Sequence, residues 1–182
     1  MKRELTIGPH SLGDDLPTFI TFEAGPTHDN VETAIKLVEE ASKAGAQAIK
    51  FQIFNAEKLV ANKEQLFNYS ILKNRETGEL EEVSEPLYNI LKRRCLTENE
   101  WRKVKERSDE LKLAFFATIG FEEDLMLMQD LKCNSVKIAS ADVNHYPLLR
   151  LAAKSGMNVQ LDTGNSEIDE IKNAVSILES EG

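Results

Sequence analysis

Pro17-Thr18-Phe19-Ile20-Thr21-Phe22 is the first of a series of apolar, β-prone stretches that decide the fold of this chain. A strand that is apolar on both faces is typical of the interior of a parallel sheet. After it, Asp29 and Asn30 offer caps for a helix, and Gly45 is placed to end that helix. One helical face carries Val31, Ala34, Ile35, Val38 and Ala41. This segment therefore predicts a strand followed by a helix that covers it.

The same alternation recurs along the rest of the chain. Further strands are predicted at 46–54, 113–118, 135–140 and 157–161. Helices are predicted from Thr97, over 121–131, over 146–155 and from Ser166. Five successive β/α units indicate a parallel sheet with right-handed crossovers.

Two architectures contain such a sheet, the doubly wound open sheet and the (β/α)8 TIM-type barrel. The open sheet usually carries a glycine-rich first turn, whereas residues 23–28 hold no GxGxxG pattern. A complete barrel has eight strands and about 250 residues. We therefore interpret residues 1–182 as a single domain, the amino-terminal part of an incomplete barrel with about five units. A small β-hairpin around Gly8-Pro9 precedes it.

Residues 55–94 form a long insertion after the second predicted strand. Loops of this kind lie on the catalytic face of barrels, often as lids or walls. The alternative is a partly helical surface insertion, and the sequence favours neither.

Composition excludes several partners. The net charge of −9 argues against nucleic acid and anionic membranes, which both need a positive face. No apolar run reaches the length of a signal or a membrane span. Cys95 and Cys133 lack metal-type spacing and fit idle thiols in a reducing compartment. We expect a cytoplasmic protein.

Polar side chains gather where the predicted strands end, which is where parallel α/β domains bind ligands. These candidates are Glu23, His28, Lys50, Gln52, Thr118, Lys137, Ser140, Asp142, Asn144 and Asp162. Lys50 and Lys137 are the most informative, because a lysine inside a buried strand is costly unless an anion balances it. Either could instead extend outward to solvent or form a structural ion pair. The set suits a small phosphorylated or carboxylated substrate beside a group that transfers a proton.

With these residues in view, the chain resembles the N-acetylneuraminate (sialic acid) synthase family, which includes the legionaminic and pseudaminic acid synthases. The resemblance covers essentially the whole chain. It is carried by the strand leading to Glu23, Ile49-Lys50-Phe51-Gln52 after Ala44-Gly45-Ala46, Lys137-Ile138-Ala139-Ser140, Asn144 with Leu148-Leu149, and Thr163-Gly164. It implies a barrel enzyme, a transferase that condenses phosphoenolpyruvate with an N-acylated amino sugar to a nine-carbon sugar acid and phosphate.

The resemblance also implies roles for individual residues. Lys50, Thr118 and Lys137 would hold the phosphoenolpyruvate carboxylate, and Ser140 its phosphate. Glu23 and Asp142 would face the reacting carbons, and His28 is a further catalytic candidate. Gln52, Asn144 and Asp162 complete the substrate-binding set. Members use Mn²⁺ or Mg²⁺, are commonly homodimers and carry an antifreeze-like domain. We expect that domain, the remaining strands and the metal ligands to be absent from these residues, and the hairpin to cover the bottom of the barrel.

The chain departs from the family pattern at four places. Thr27 stands where Asn is usual, and Asp142 stands where Glu is usual. Asp162 replaces a serine that touches phosphate, and Ile119-Gly120 replaces Pro-Phe.

Two other functions remain open at this point. A Schiff-base aldolase or lyase of the barrel type would use Lys50 or Lys137 as its nucleophile. A non-catalytic homologue would bind a sugar phosphate without turning it over. Borohydride with a carbonyl substrate would attach mass to a lysine in the aldolase and in neither of the others.

We predict that the 182-residue chain alone neither releases phosphate from phosphoenolpyruvate and an amino sugar nor behaves as a single species. Five strands of a barrel leave two open edges, and open edges recruit other chains. Size-exclusion chromatography with light scattering and a phosphate-release assay measure both properties. A monodisperse, active monomer would contradict the prediction.

Overall fold

The computed structural model describes residues 4–182, which divide into two compact units. The first consists of residues 4–54 and 96–182, and the second of residues 55–95. The strands are β1 (Glu4–Ile7), β2 (His10–Gly13), β3 (Thr21–Gly25), β4 (Ala48–Gln52), β5 (Leu66–Asn74), β6 (Glu79–Pro86), β7 (Ala114–Ile119), β8 (Ser135–Ile138) and β9 (Asn158–Leu161). The α-helices are α1 (Val31–Lys43), α2 (Ala56–Leu59), α3 (Leu87–Lys92), α4 (Glu98–Glu110), α5 (Glu122–Asp130), α6 (Tyr146–Lys154) and α7 (Ile168–Glu181), and a 3₁₀ turn spans Ser140–Asp142.

The first unit is built on a five-stranded parallel sheet in the order β3-β4-β7-β8-β9. Strand order follows chain order, and a helix separates each strand from the next, as the alternation predicts. The parallel α/β architecture is therefore confirmed. Among the described residues the sheet does not close on itself, since β3 and β9 are its edges.

The first strand lies later in the chain than its sequence suggests. We predict it at 17–22, whereas β3 begins at Thr21 and runs to Gly25, so that Glu23 lies inside the strand. Ile20 is exposed at 52% and lies just before the paired residues. Its amide donates to the Gln47 side chain at 2.8 Å, and its carbonyl accepts from the amides of Gln47 and Ala48 at 2.9 and 3.2 Å. The reason is that β3 is an edge strand, paired on one side alone, and its neighbour β4 starts opposite Thr21.

Local signals place the helices well. Asn30 caps α1 by accepting from the Thr33 amide, and Thr97 forms the predicted capping box of α4 with Glu100. The hydrophobic core lies between these helices and the sheet; it includes Val38, Phe51, Trp101, Val104, Phe115 and Leu149. This packing fixes one face of the sheet against helices and leaves the other face for the strand-end groups.

The predicted amino-terminal hairpin is present, with β1 and β2 antiparallel. Asn134, directly before β8, accepts from the Gly8 amide at 2.9 Å and donates to the Thr6 carbonyl at 2.9 Å. Asn158, the first residue of β9, donates to the same carbonyl at 2.8 Å. The hairpin thus lies at the amino-terminal ends of the strands, as the resemblance implies.

The second unit is mainly a β-hairpin, which the sequence analysis did not anticipate. Its long strands β5 and β6 pair antiparallel, and the short helices α2 and α3 flank them. Hydrogen bonds from Lys63 and Tyr88 lower the pKa of Glu57 to about 2. Hydrogen bonds from Arg93 and Tyr69 lower the pKa of Glu85 to about 2. Charged and polar side chains thus connect the strands of this unit with its short helices.

Within residues 4–182 no helix combines the length and the apolarity needed to cross a membrane.

We predict that Gly8→Ala destabilises the protein by about 2–4 kcal/mol. Gly8 has a φ of +55°, and a Cβ there would lie 2.8 Å from both Cα and Cβ of Ala114. Gly156→Ala is the matched control, because Gly156 also has a positive φ of +71° but has open space around its Cβ position. The control should lose only about 1 kcal/mol, measured by urea denaturation. Equal losses would show that the hairpin does not pack tightly on β7.

Candidate active site

The register of the parallel strands places the polar side chains in two rows on one face of the sheet. In the first row, Glu23 of β3 is opposite Lys50 of β4. In the second row, Gln52 of β4 is opposite Thr118 of β7, which is in turn opposite Lys137 of β8. Side chains alternate along a strand, so Lys50 and Gln52 point to the same side. The strands thus bring together the groups that the sequence places at separate strand ends.

Lys50 belongs to the first row and also contacts the second. Its side chain is 11% exposed, and its Nζ lies 2.5 Å from Glu23 Oε2 and donates to Thr118 Oγ1 at 3.3 Å. The other carboxylate oxygen of Glu23 accepts from the Gly25 amide at 2.8 Å. The ammonium and the carboxylate are therefore both held in place before any ligand arrives.

Lys137 forms a second ion pair in the same sheet. Its side chain is 10% exposed, and its Nζ contacts Oδ2 of Asp162, which is 40% exposed. The Asp162 amide donates to the Ile138 carbonyl at 3.0 Å, which fixes the end of β9 beside the end of β8. Both lysines are thus nearly buried and balanced by a carboxylate that reaches solvent.

The loops after β8 and β9 are tied to each other. Asn144 Nδ2 donates to Glu170 Oε1 at 3.2 Å, and Ser166 Oγ donates to the Ser140 carbonyl at 3.4 Å. Asp142 lies half-buried in the 3₁₀ turn that follows β8. These contacts hold the Ser140, Asp142 and Asn144 segment at the carboxyl-terminal end of the sheet.

The structure does not bring His28 to this group. His28 is fully buried, with its ring edge-on to Phe51 at 5.6 Å and to Trp101 at 5.4 Å between centroids. Phe51 follows Lys50 in β4 and so points to the opposite, helix-covered face. The Thr27 hydroxyl, donating to the Ala24 carbonyl at 2.7 Å, closes the turn that directs His28 there. A catalytic role for His28 stays a sequence prediction, and its observed position is in the core.

Gln160 is a candidate site residue that the sequence analysis missed. It is opposite Lys137 in the register, and its Nε2 lies 3.4 Å from Asp162 Oδ1. The signal was available, because Gln160 and Asp162 are two apart and so share a face of β9.

Nothing in the described part of the chain fits a complete metal centre. Residues 4–182 bring together no group of three or more His, Cys, Asp or Glu side chains that could hold an ion. Burial raises the pKa of the Cys133 thiol to about 12, so this cysteine is protonated and unsuited to metal binding or nucleophilic attack.

A five-stranded parallel sheet with fixed cations and carboxylates at its strand ends is the kind of scaffold on which α/β proteins place ligand sites. The NeuB family model matches residues 37–182, and the chain belongs to the NeuB family. This confirms the resemblance stated from the sequence.

Similar proteins agree with this assignment. The chain is 28% identical over 167 residues to N,N'-diacetyllegionaminic acid synthase of Legionella pneumophila, covering 91% of this chain and 45% of that protein. It is 33% identical over 180 residues to an uncharacterised protein of Methanocaldococcus jannaschii, and the alignment covers 98% of this chain and 47% of that protein. The chain therefore spans about half the length of the relatives it matches.

Solved structures show the same fold. The crystal structure of N-acetylneuraminic acid synthetase from Leptospira borgpetersenii, in complex with citrate, aligns with a TM-score of 0.81 at 31% identity. The alignment covers all of this chain and 56% of that one. A truncated 3-deoxy-D-arabino-heptulosonate 7-phosphate synthase from Thermotoga maritima aligns at 0.65 with 14% identity, which shows the fold alone.

The two ion pairs predict an asymmetry in stability. Lys50→Met leaves Glu23 solvated, because that carboxylate is 56% exposed, so the free energy of unfolding should change by less than about 1 kcal/mol. Glu23→Ala leaves the buried ammonium without its counter-charge and should cost about 1–3 kcal/mol. Urea denaturation of the two variants measures the difference. A larger loss in Lys50→Met would mean that the lysine serves the fold.

Proposed function

We propose that this chain provides the phosphoenolpyruvate-binding part of a synthase that condenses phosphoenolpyruvate with an N-acylated amino sugar. The products would be a nine-carbon, sialic-acid-type sugar acid and phosphate. The single observation that supports this most is the pair of nearly buried lysines on one face of the sheet, each fixed by a carboxylate. Membership of the NeuB family, and similarity to N,N'-diacetyllegionaminic acid synthase, support a role in sugar-acid synthesis.

The chemistry of the reaction calls for such groups. The enol carbon of phosphoenolpyruvate attacks the aldehyde carbon of the sugar, and the carbonyl oxygen gains negative charge that a donor must stabilise. The carbon that bears the phosphate becomes electron-poor, and a nearby carboxylate stabilises it. Water then adds to that carbon, and phosphate leaves by C–O cleavage. Cations fixed on strands bind the anionic substrate without reorganising.

We assign the residues to these steps as follows. Lys50, Thr118 and Lys137 bind the substrate carboxylate, and Ser140 binds the phosphate. Glu23 and Asp142 face the reacting carbons, where a carboxylate can stabilise positive charge or accept a proton. Gln52, Asn144 and Asp162 line the substrate site. The closeness of Lys50 to both Glu23 and Thr118 supports a shared site for these three residues.

Three further features are proposals that rest on the resemblance. The enzyme uses Mn²⁺ or Mg²⁺, whose ligands lie outside residues 4–182, and a bound ion would polarise the sugar carbonyl. It acts as a homodimer, and it acts in the cytoplasm.

The ion pairs favour this function over a Schiff-base aldolase. A Schiff base requires a neutral amine as the nucleophile. Lys50 and Lys137 instead each lie against a carboxylate, an arrangement that uses them as cations. A borohydride-trapped adduct on either lysine would support the aldolase.

We predict that Lys50→Met and Lys137→Met in the full-length protein each weaken phosphoenolpyruvate binding about 10- to 150-fold. The expected loss is that of one charge-assisted hydrogen bond, about 1.5–3 kcal/mol. Isothermal titration calorimetry measures the affinities. Lys172→Met is the control, because Lys172 is an exposed lysine of α7 that pairs with Asp169. Unchanged affinity in both site variants would remove these lysines from the substrate site.

A further inference from the structure

Asp162 is placed to interact with whatever Lys137 binds. Its carboxylate contacts the Lys137 ammonium through Oδ2, and Gln160 lies beside Oδ1 at 3.4 Å. The backbone of Asp162 is hydrogen-bonded to β8 at Ile138, so the residue cannot move far from Lys137. With 40% of its side chain exposed, the carboxylate also faces the solvent from which a ligand arrives.

The charge balance of the site follows from these contacts. Lys50 and Glu23 form one pair, and Lys137 and Asp162 form the other, so the four groups sum to no net charge. An anion that reaches Lys137 must either displace the Asp162 carboxylate or stay close to it. Displacement costs about the same for every anion. Repulsion between neighbouring charges grows with the charge of the ligand.

We infer that Asp162 determines charge specificity at this site. It acts as an internal anion on Lys137 and weakens the binding of multiply charged, phosphate-bearing ligands more than that of singly charged carboxylates. The inference deepens the proposed function and rests on it only for the choice of phosphoenolpyruvate as a ligand. At about 5 Å and with partial solvent screening, we expect an effect of about tenfold on a phosphate-bearing anion.

The experiment compares Asp162→Asn and Asp162→Ser with the unmodified full-length protein. Calorimetry measures the affinities for phosphoenolpyruvate, inorganic phosphate and pyruvate, each with EDTA and with Mg²⁺. We expect both variants to bind phosphoenolpyruvate and phosphate about tenfold more tightly under both conditions, and pyruvate less than threefold more tightly. Asp169→Asn is the matched control, since it removes one exposed carboxylate from the nearby start of α7. It should leave all three affinities unchanged.

Several results would overturn the inference. Unchanged or weaker binding in both variants would show that Asp162 does not oppose the anion. If the variants bind the anions more weakly only when Mg²⁺ is present, Asp162 helps to hold a metal ion beside the ligand. If the affinities for pyruvate and for phosphate rise equally in the variants, Asp162 does not discriminate between ligands by their charge. Because Asp162→Asn keeps the shape of the side chain, it remains informative if Asp162→Ser does not fold.

The outcome is separable from that of the proposed function. If Lys50→Met and Lys137→Met both leave phosphoenolpyruvate affinity unchanged, the proposed function fails, while the inorganic phosphate titration still reports on Asp162. If neither anion responds to Asp162→Asn, the inference fails even when Lys50 and Lys137 prove essential for phosphoenolpyruvate binding.

Discussion

Burying two ammonium groups inside a parallel sheet is the constraint on which the rest of this structure depends. An unpaired charge in such a place is very costly, and each lysine is therefore matched with a carboxylate. For Lys50 the partner comes from the neighbouring strand β3, and for Lys137 from the end of β9. The register of the sheet therefore sets the electrostatics of the site, and a slip of one residue would turn the lysines toward the helices.

The two faces of β4 show how one strand serves both stability and function. Ile49 and Phe51 point into the core, where Phe51 packs against His28 and Trp101. Lys50 and Gln52 point to the opposite face and reach the polar rows. Rigid packing behind the strand holds the lysine in position, which is how a scaffold limits the reorganisation of a binding site.

Much of this arrangement is readable from sequence, because it depends on local periodicity. The β/α alternation, the capping residues Asn30 and Thr97, and the two lysines within apolar strands follow from short-range patterns. The direction of the His28 side chain does not follow from such patterns, because tertiary packing determines the orientation of a side chain in a loop. Only the positions of Phe51 and Trp101 reveal that it is a core residue.

The sequence predicts the insertion at 55–94, but its hairpin escaped prediction for a related reason. Its strands β5 and β6 expose large apolar residues such as Leu66, Leu72 and Leu80. Without a buried face, the alternation that marks a strand is weak. The start of β3 was misplaced because Phe19 and Ile20 look like strand residues, whereas an edge strand pairs only where its one neighbour begins.

The contacts of the amino-terminal hairpin also bear on how the protein is made. Thr6 leaves the ribosome before its partners Asn134 and Asn158, which follow 128 and 152 residues later. Chains are synthesised at about 5–20 residues per second, so this hairpin waits roughly 6–30 s for its binding surface. The hairpin thus emerges well before the residues against which it packs. A chaperone that shields a nascent chain would have a client segment here during that interval.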